Sequence, residues 1–248
     1  MSQFESVIQA TTKIPADNWE KVYYSGYVLS RLGLGDYIPS NDIWRLVTNW
    51  YAFTGLIFIT MSVTYFIPVL TAVKEQKKLG INISGLGSSP QNMVVNVWNG
   101  ENFNYFKYQL LLLSDALVDH NQNHRAYPII HYFHNNKRKD AVVLKLAQLN
   151  EVIYLFQKYI RKEVTLDKSE LLAINSALNN YTEVISEVSS LYFVQASDGS
   201  VPLNKLIGTG LLVDNYKEIP LDEEMRKRRM IFQTLVVQDG WNWEEVVK

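Results

Sequence analysis

The chain has no cysteine among its 248 residues, so it forms no disulfide and offers no thiolate for catalysis or metal binding. That absence fits a large part lying in a reducing cytosol. It also lacks a phosphate-binding glycine loop, a nucleophile elbow and a zinc-protease His-Glu-x-x-His helix, which leaves an enzyme without support. A formal net charge of −1 gives nucleic acid no basic surface to hold. Internal repeats and strand-type alternation are missing too, so the expected fold class is all-α. The most informative absence is local. Leu46–Val73, a run of 28 residues, contains no Asp, Glu, Lys, Arg or His. As a helix it is about 42 Å long, against about 30 Å of hydrocarbon in a bilayer. A core helix of that length would carry a polar face, so the run is expected to span a membrane.

The flanks of this run set its direction. Lys74, Lys77 and Lys78 follow it at once, whereas Arg45 stands ahead of it among Asp36 and Asp42. The side after the span is therefore expected to be cytoplasmic. Met1–Asn18 has no apolar core of signal-peptide type and is too polar to be a second span. Trp44, Trp50 and Tyr51 suit the outer membrane interface, and Pro68 removes one backbone bond and should kink the inner end. Ahead of the span, Trp19–Ser30 reads as a short aromatic helix with Trp19, Tyr23, Tyr24 and Tyr27 crowding one side. It leads into Arg31-Leu32-Gly33-Leu34-Gly35-Asp36, and a turn over Asp36–Asn41 follows, where Pro39 bars an early helix restart. Glycine at every second position lets successive carbonyls point the same way, which is what a loop needs to replace the water shell of a bare cation.

Four segments follow from this reading: an N-terminal stretch 1–18, a pore-like part 19–78, a Gly/Ser-rich linker 79–90, and a helical cytosolic domain 91–248. Within the last, Val142, Leu146, Leu149, Ile153, Phe156 and Ile160 fall on one helical stripe. A second helix opens on Asp167-Lys168-Ser169-Glu170 and carries Ile174, Leu178, Tyr181, Ile185, Val188 and Tyr192 on one face. The two read as an antiparallel hairpin. A last helix from about Leu221 pairs Asp222 with Arg226, Glu223 with Lys227 and Glu224 with Arg228 at i,i+4, so the basic run Arg226–Arg229 reads as a solvated face rather than a site for anionic lipid heads. All four histidines, His120, His124, His131 and His134, lie within 15 residues. Their H-x3-H spacing suits a divalent metal with Asp115 or Asp119 as a further ligand, but Tyr127-Pro128 interrupts the helix between the pairs, which favours packing at a helix junction over a metal site.

The order of short aromatic helix, Gly-x-Gly-Asp loop, Pro39 and a long apolar helix with distal Pro68 resembles the second half of a potassium-channel pore unit. Within that superfamily the chain is similar to bacterial two-transmembrane potassium channels with long helical cytosolic tails. Tyr65-Phe66-Ile67-Pro68-Val69-Leu70, Asn82-Ile83-Ser84 and the Tyr127-Pro128-x-x-His131-Tyr132-Phe133-His134 segment extend the likeness beyond the pore. The resemblance implies a filter backbone at Leu32–Gly35, Asp36 at its outer mouth, Trp19–Ser30 as pore helix, and K+ as permeant ion with no other cofactor. It also implies a homotetramer in the bilayer of a bacterial cell membrane. Two departures stand out. The family has Thr two positions before the first glycine, where this chain has Arg31, and Ser30 is one residue out of register. The family also carries an outer membrane helix ahead of the pore helix, which this chain is expected to lack. Arginine has five donors and no acceptor, and at 4 Å from a cation in an effective dielectric near 20 it costs on the order of 4 kcal/mol. Either Arg31 turns into the wall and offers its carbonyl alone, or the pore is vestigial and the chain is a membrane-anchored scaffold whose cytosolic helices bind a partner.

The topology has a direct check. Protease added to sealed right-side-out vesicles should leave everything from Asn82 onward intact; digestion of that region reverses the assigned orientation.

Overall fold

The structure, a computed structural model, describes residues 5–134, 137–188, 201–214, 216 and 222–248. It divides into two compact units, one ending at Pro68 and the other running from Val69 to Lys248.

In the first unit, strand β1 (Val7–Gln9), helix α1 (Asn18–Leu29) and strand β2 (Tyr37–Pro39) precede helix α2 (Asp42–Ser84). Asp17 caps α1 by accepting the Glu20 N–H at 2.8 Å, while Glu20 accepts the Asp17 N–H at 2.7 Å, a reciprocal box that satisfies two orphan donors. Glu20 also accepts the Tyr37 hydroxyl at 2.6 Å, so the helix start is tied to the strand that follows the loop. β1 and β2 pair antiparallel in the register Val7↔Pro39, Ile8↔Ile38 and Gln9↔Tyr37. This ribbon stands where a turn alone was expected, and a three-residue strand is too short to show alternation in sequence. Val7, Ala16, Tyr24 and Tyr27 make a small core with Val28 and Tyr37. The expected four-aromatic face is therefore half realised: Tyr24 and Tyr27 are buried, while Trp19 is 80% exposed.

Helix α2 runs 43 residues without interruption, with Pro68 inside it. Among the described residues it is the one helix long and apolar enough to cross a membrane. Phe58, Phe66 and Ile67 are each more than half exposed, an apolar surface that water would not tolerate at this length and that lipid or a second copy would cover.

The second unit contains the end of α2, α3 (Pro90–Val97), α4 (Asn104–Ala126), a 3-10 turn (Pro128–Tyr132), α5 (Val142–Lys158), α6 (Leu172–Val188), α7 (Glu223–Gln238) and α8 (Trp243–Val247). The first half of the expected linker is helix: α2 continues to Ser84 and buries Leu79 and Ile83. Gly80 marks a close approach there and not a turn, because a Cβ on it would lie 2.8 Å from the Asp140 carbonyl oxygen. The turn is confined to 85–89, where Ser89 caps α3 and Pro90 takes its first position. Helix α5 is buried on all sides over most of its length and packs against α3, α7 and α8. That corrects the expected α5–α6 hairpin. Helix α5 goes to the middle with Lys145, Gln148, Asn150 and Glu151 buried beside its apolar residues, and α6, with one apolar face, lies chiefly against α4. Ile174, Leu178, Tyr181 and Ile185 form the buried face of α6 as expected; Tyr192 lies outside the described residues, as does Leu221. Asp167 and Glu170 make their reciprocal box in the turn ahead of α6, with backbone bonds of 2.9 Å each way.

The basic run on α7 does not form one solvated face. Arg226 and Lys227 are exposed, but Arg228 and Arg229 are buried. Arg229 binds Glu151 of α5 with both Nε, at 2.9 Å, and Nη2. Asp222 caps α7 through the Met225 N–H at 2.9 Å and pairs with Lys158 at 3.3 Å, not with Arg226. Local i,i+4 spacing gave way to partners on α5, where the low dielectric makes a fork-to-carboxylate contact stronger. Removing one member strands the other charge. Glu151→Ala should lower the unfolding free energy of the detergent-solubilised chain by about 3–5 kcal/mol in denaturant titration, whereas Glu244→Ala, which breaks an exposed pair with Lys248, should leave the midpoint unmoved.

Candidate ion-filter loop and the histidine corner

Helix α1 ends at Leu29, with Ser30 as its C-cap. In the six residues that follow, φ is +64° at Arg31, +62° at Gly33 and +81° at Gly35. The left-handed region thus recurs at every second residue, and two of the three positions are glycines, which enter it without penalty. Arg31 does not have that freedom, and an L side chain there costs about 1–2 kcal/mol. Backbone bonds hold the ends of the loop: Leu32 N–H donates to Tyr27 O at 2.9 Å, and Ala10 N–H donates to Asp36 O at 2.8 Å. Between them, among the described residues, the carbonyls of Arg31 to Gly35 accept no hydrogen bond. All six residues 31–36 are exposed, so these oxygens are open to a ligand.

The loop is held from outside. The Tyr27 hydroxyl donates to Tyr37 O across its base, and Tyr24 shares a 2.7 Å hydroxyl bond with Thr48 of α2. Tyr27 meets Tyr23 and Tyr24 edge to face with ring centroids 5.4 and 5.3 Å apart. The last turn of α1 lies on α2 at Gly55, where a Cβ would collide with the Leu29 carbonyl. Gly55 is a lone glycine in an apolar run, so the sequence carried a signal for this contact; nothing in it pointed to Tyr24–Thr48. Arg31 lines a surface depression with Asn49, Trp50, Phe53 and Leu56 of α2. Asp36 follows Gly35 and precedes β2, so ribbon and acidic residue lie at the same end of the loop.

In the second unit, the C-terminal end of α2 meets the histidine segment. Val69 and Ala72, just past Pro68, are buried with Ile130 of the 3-10 turn, and Val73 and Tyr127 pack on them. Asn123 donates to Glu75 at 2.7 Å, and Gln76 donates to Phe133 O at 3.5 Å. His120 and His124 occupy the buried side of α4 with ring centroids 4.5 Å apart, and His120 stacks on Tyr181 of α6. His131 follows 6.2 Å from His124, and His134 bonds Asp239 through Nδ1. Asp115 and Asp119 are exposed, and among the described residues no three His, Asp or Glu side chains converge as a metal would require. Both ring nitrogens of His120 are buried without a hydrogen-bond partner.

In comparison with known sequences, residues 4–72 match the ion-channel family. Over 239 residues the chain is 31% identical to the uncharacterized membrane protein YdjJ of Bacillus subtilis (strain 168), a match that covers 96% of this chain and 70% of that protein. The chain belongs to the family of membrane proteins that includes this relative. No solved structure matches it.

The histidine corner makes stability depend on pH. Burial, reinforced by His124, holds His120 well below the usual imidazole range; burial, reinforced by His131, brings His124 down to about 4. Burial beside His134 lowers His131 as well. In each case the folded chain binds protons less readily than the unfolded one, so stability is full above about pH 6.5 and falls as pH drops toward 4. His124 alone should withdraw on the order of 3 kcal/mol by the bottom of that window. The denaturant midpoint measured from pH 7.5 to 4.5 should fall steeply, and His124→Gln should flatten the fall.

Proposed function

We propose that four copies of the chain surround a potassium-conducting pore in the cell membrane. The carbonyls of Leu32, Gly33, Leu34 and Gly35 form its filter and Asp36 its outer mouth. The observation that carries this reading is the loop backbone itself: left-handed φ at alternate residues, with no internal bond on the carbonyls between. One such loop offers an ion too few oxygens, whereas a ring of four replaces a hydration shell. K+ is the ion for which rings of backbone carbonyls serve in this way, and the absence of a side-chain acid among Leu32–Gly35 fits a filter that works by carbonyl dipoles. Helix α2 is the inner helix, Pro68 its kink, and the unit after Val69 is cytoplasmic. That unit regulates the pore through Ile130, Asn123 and the other residues that seat on α2 just beyond Pro68. A displacement of the α4 corner then moves the inner end of α2.

Arg31 favours a second reading, the non-conducting scaffold, because it removes the family's hydroxyl ligand and adds a fixed charge per chain. Flux separates the two. The purified chain in liposomes should pass potassium poorly, and Arg31→Thr should raise potassium uptake, since it removes up to four charges and restores an oxygen. Equal, robust, selective uptake by both proteins would put Arg31 in the wall; no uptake by either, with both inserted and tetrameric, would leave the scaffold.

A further inference from the structure

The second unit holds an open cavity of about 740 Å3 where the end of α5, the 162–168 turn and the first turns of α6 and α7 meet. Four cations line it: Lys158, Lys162, Lys168 and Arg228. Three carboxylates line it too, and each is already engaged. Asp167 accepts the Ser169 hydroxyl at 2.6 Å and the Glu170 N–H at 2.9 Å. Asp222 caps α7 and pairs with Lys158. Glu224 accepts the Asn179 amide at 2.6 Å. Of the cations, Lys158 has a carboxylate within reach; Lys162, Lys168 and Arg228 make no ion pair among the described residues.

Arg228 is the unusual member. It is 3% exposed, yet its guanidinium meets neutral oxygens, those of Asn150, Asn179 at 3.0 Å and Asn175 at 3.0 Å. The asparagines are themselves fixed. Their amide N–H groups donate to Glu151, Glu224 and Leu171 O respectively, which leaves their oxygens aimed at the arginine. Its hydrogen bonds thus go to neutral groups, while Glu224, Glu151 and Asp222 act on it only through space; the neighbouring Arg229 shows the direct ion pair that a buried guanidinium usually makes, with Glu151. Among the described residues one Nη1–H of Arg228 has no hydrogen-bond partner. The cavity lining therefore carries four positive and three negative side chains, a small positive excess, with Arg228 pre-oriented and Lys162 and Lys168 outside any ion pair among the described residues. The first turns of two long helices, whose N-terminal ends favour anions, stand beside it. Phe156, Leu171, Leu172 and Met225 give it an apolar wall.

We propose that this cavity binds a phosphorylated small organic molecule of nucleotide size, with the phosphates between Arg228, Lys162 and Lys168 and the organic part against the apolar wall. Its volume lies within the range typical of small-molecule sites. The proposal does not rest on ion conduction, because it concerns the folded second unit alone.

Thermal unfolding and calorimetric titration of the full chain in detergent test it with ATP, pyrophosphate and adenosine. ATP should raise the unfolding temperature and bind more tightly than pyrophosphate, while adenosine should do neither. Lys162→Ala with Lys168→Ala removes two exposed, unpaired side chains and so leaves the fold intact; it should weaken ATP binding about tenfold or more. Arg228→Gln, if folded by circular dichroism, should abolish it. No response to ATP, or an equal response from the double-lysine variant, overturns the proposal. Displacement of ATP by short-chain phosphatidylglycerol, but not by pyrophosphate, would overturn the soluble ligand in favour of a lipid headgroup.

Discussion

A backbone carbonyl that is to ligate an ion must be left without a partner inside the chain, and the rest of the pore-like unit follows from that constraint. The oxygens of Arg31 to Gly35 accept nothing among the described residues, so the loop has no internal bonds to fix its own shape. Its geometry is borrowed from what flanks it. Glu20 closes the start of α1 and holds Tyr37; Tyr27 bonds Tyr37 O from the other side; β1 takes the strand that contains Tyr37 into a ribbon. Tyr24 and Gly55 then fix α1 to α2, the first by a hydroxyl bond and the second by having no side chain at all. A set of unpaired carbonyls is tolerable here because the loop is exposed, whereas the same groups buried would each forfeit a hydrogen bond.

The long helix is longer than a membrane needs. At about 1.5 Å per residue its 43 residues reach roughly 64 Å, well beyond a bilayer's hydrocarbon, so its last turns are necessarily outside it. Those turns are built as a soluble helix, with Leu79 and Ile83 inward and Lys77 and Lys78 outward. The histidines sit where α4 and the 3-10 turn meet the same helix. Burial lowers the pKa of His120, His124 and His131, so charging those three would load a packed junction with positive charge; Asp239, itself raised by burial, bonds His134 at its edge.

What was legible in the sequence was what a local pattern determines. The charge-free run, the start of the long helix after Pro39, the aromatic helix ending at the glycine loop and the Asp167–Glu170 box all appear where their residues implied. The misses have one physical form. Gly80 reads as a turn or as a close contact equally well, and the carbonyl of Asp140 decides between them. An i,i+4 pattern of acids and bases on α7 describes an isolated helix, while Asn150 and Glu151 on α5 decide which arginines stay in water. A stripe on α5 is genuine, but the residues between its members are buried too, Lys145, Gln148, Asn150 and Glu151 among them, because packing from all sides used every face. The β1–β2 ribbon had no signal, since its register rests on Tyr37 and its tyrosine and glutamate partners rather than on alternation.

Arg31 joins the two halves of this reasoning. A filter made of backbone would be largely indifferent to its side chains, so in the proposed pore arginine at position 31 would still offer its carbonyl and would lack a hydroxyl alone. What changes is the cost of the conformation, because a left-handed φ of +64° that glycine accepts freely is strained for arginine, and the charge must still be placed. The flank of α2 gives it a place beside Asn49, Trp50 and Phe53, where the aliphatic stem can lie on aromatic surface and the guanidinium can reach polar groups. Strain that persists in an exposed loop is held by its surroundings, and here these are the bonds at Tyr27, Tyr37 and Asp36. The same contacts that orient the carbonyls therefore also hold the arginine in its unfavourable backbone state, and loss of either would release the other.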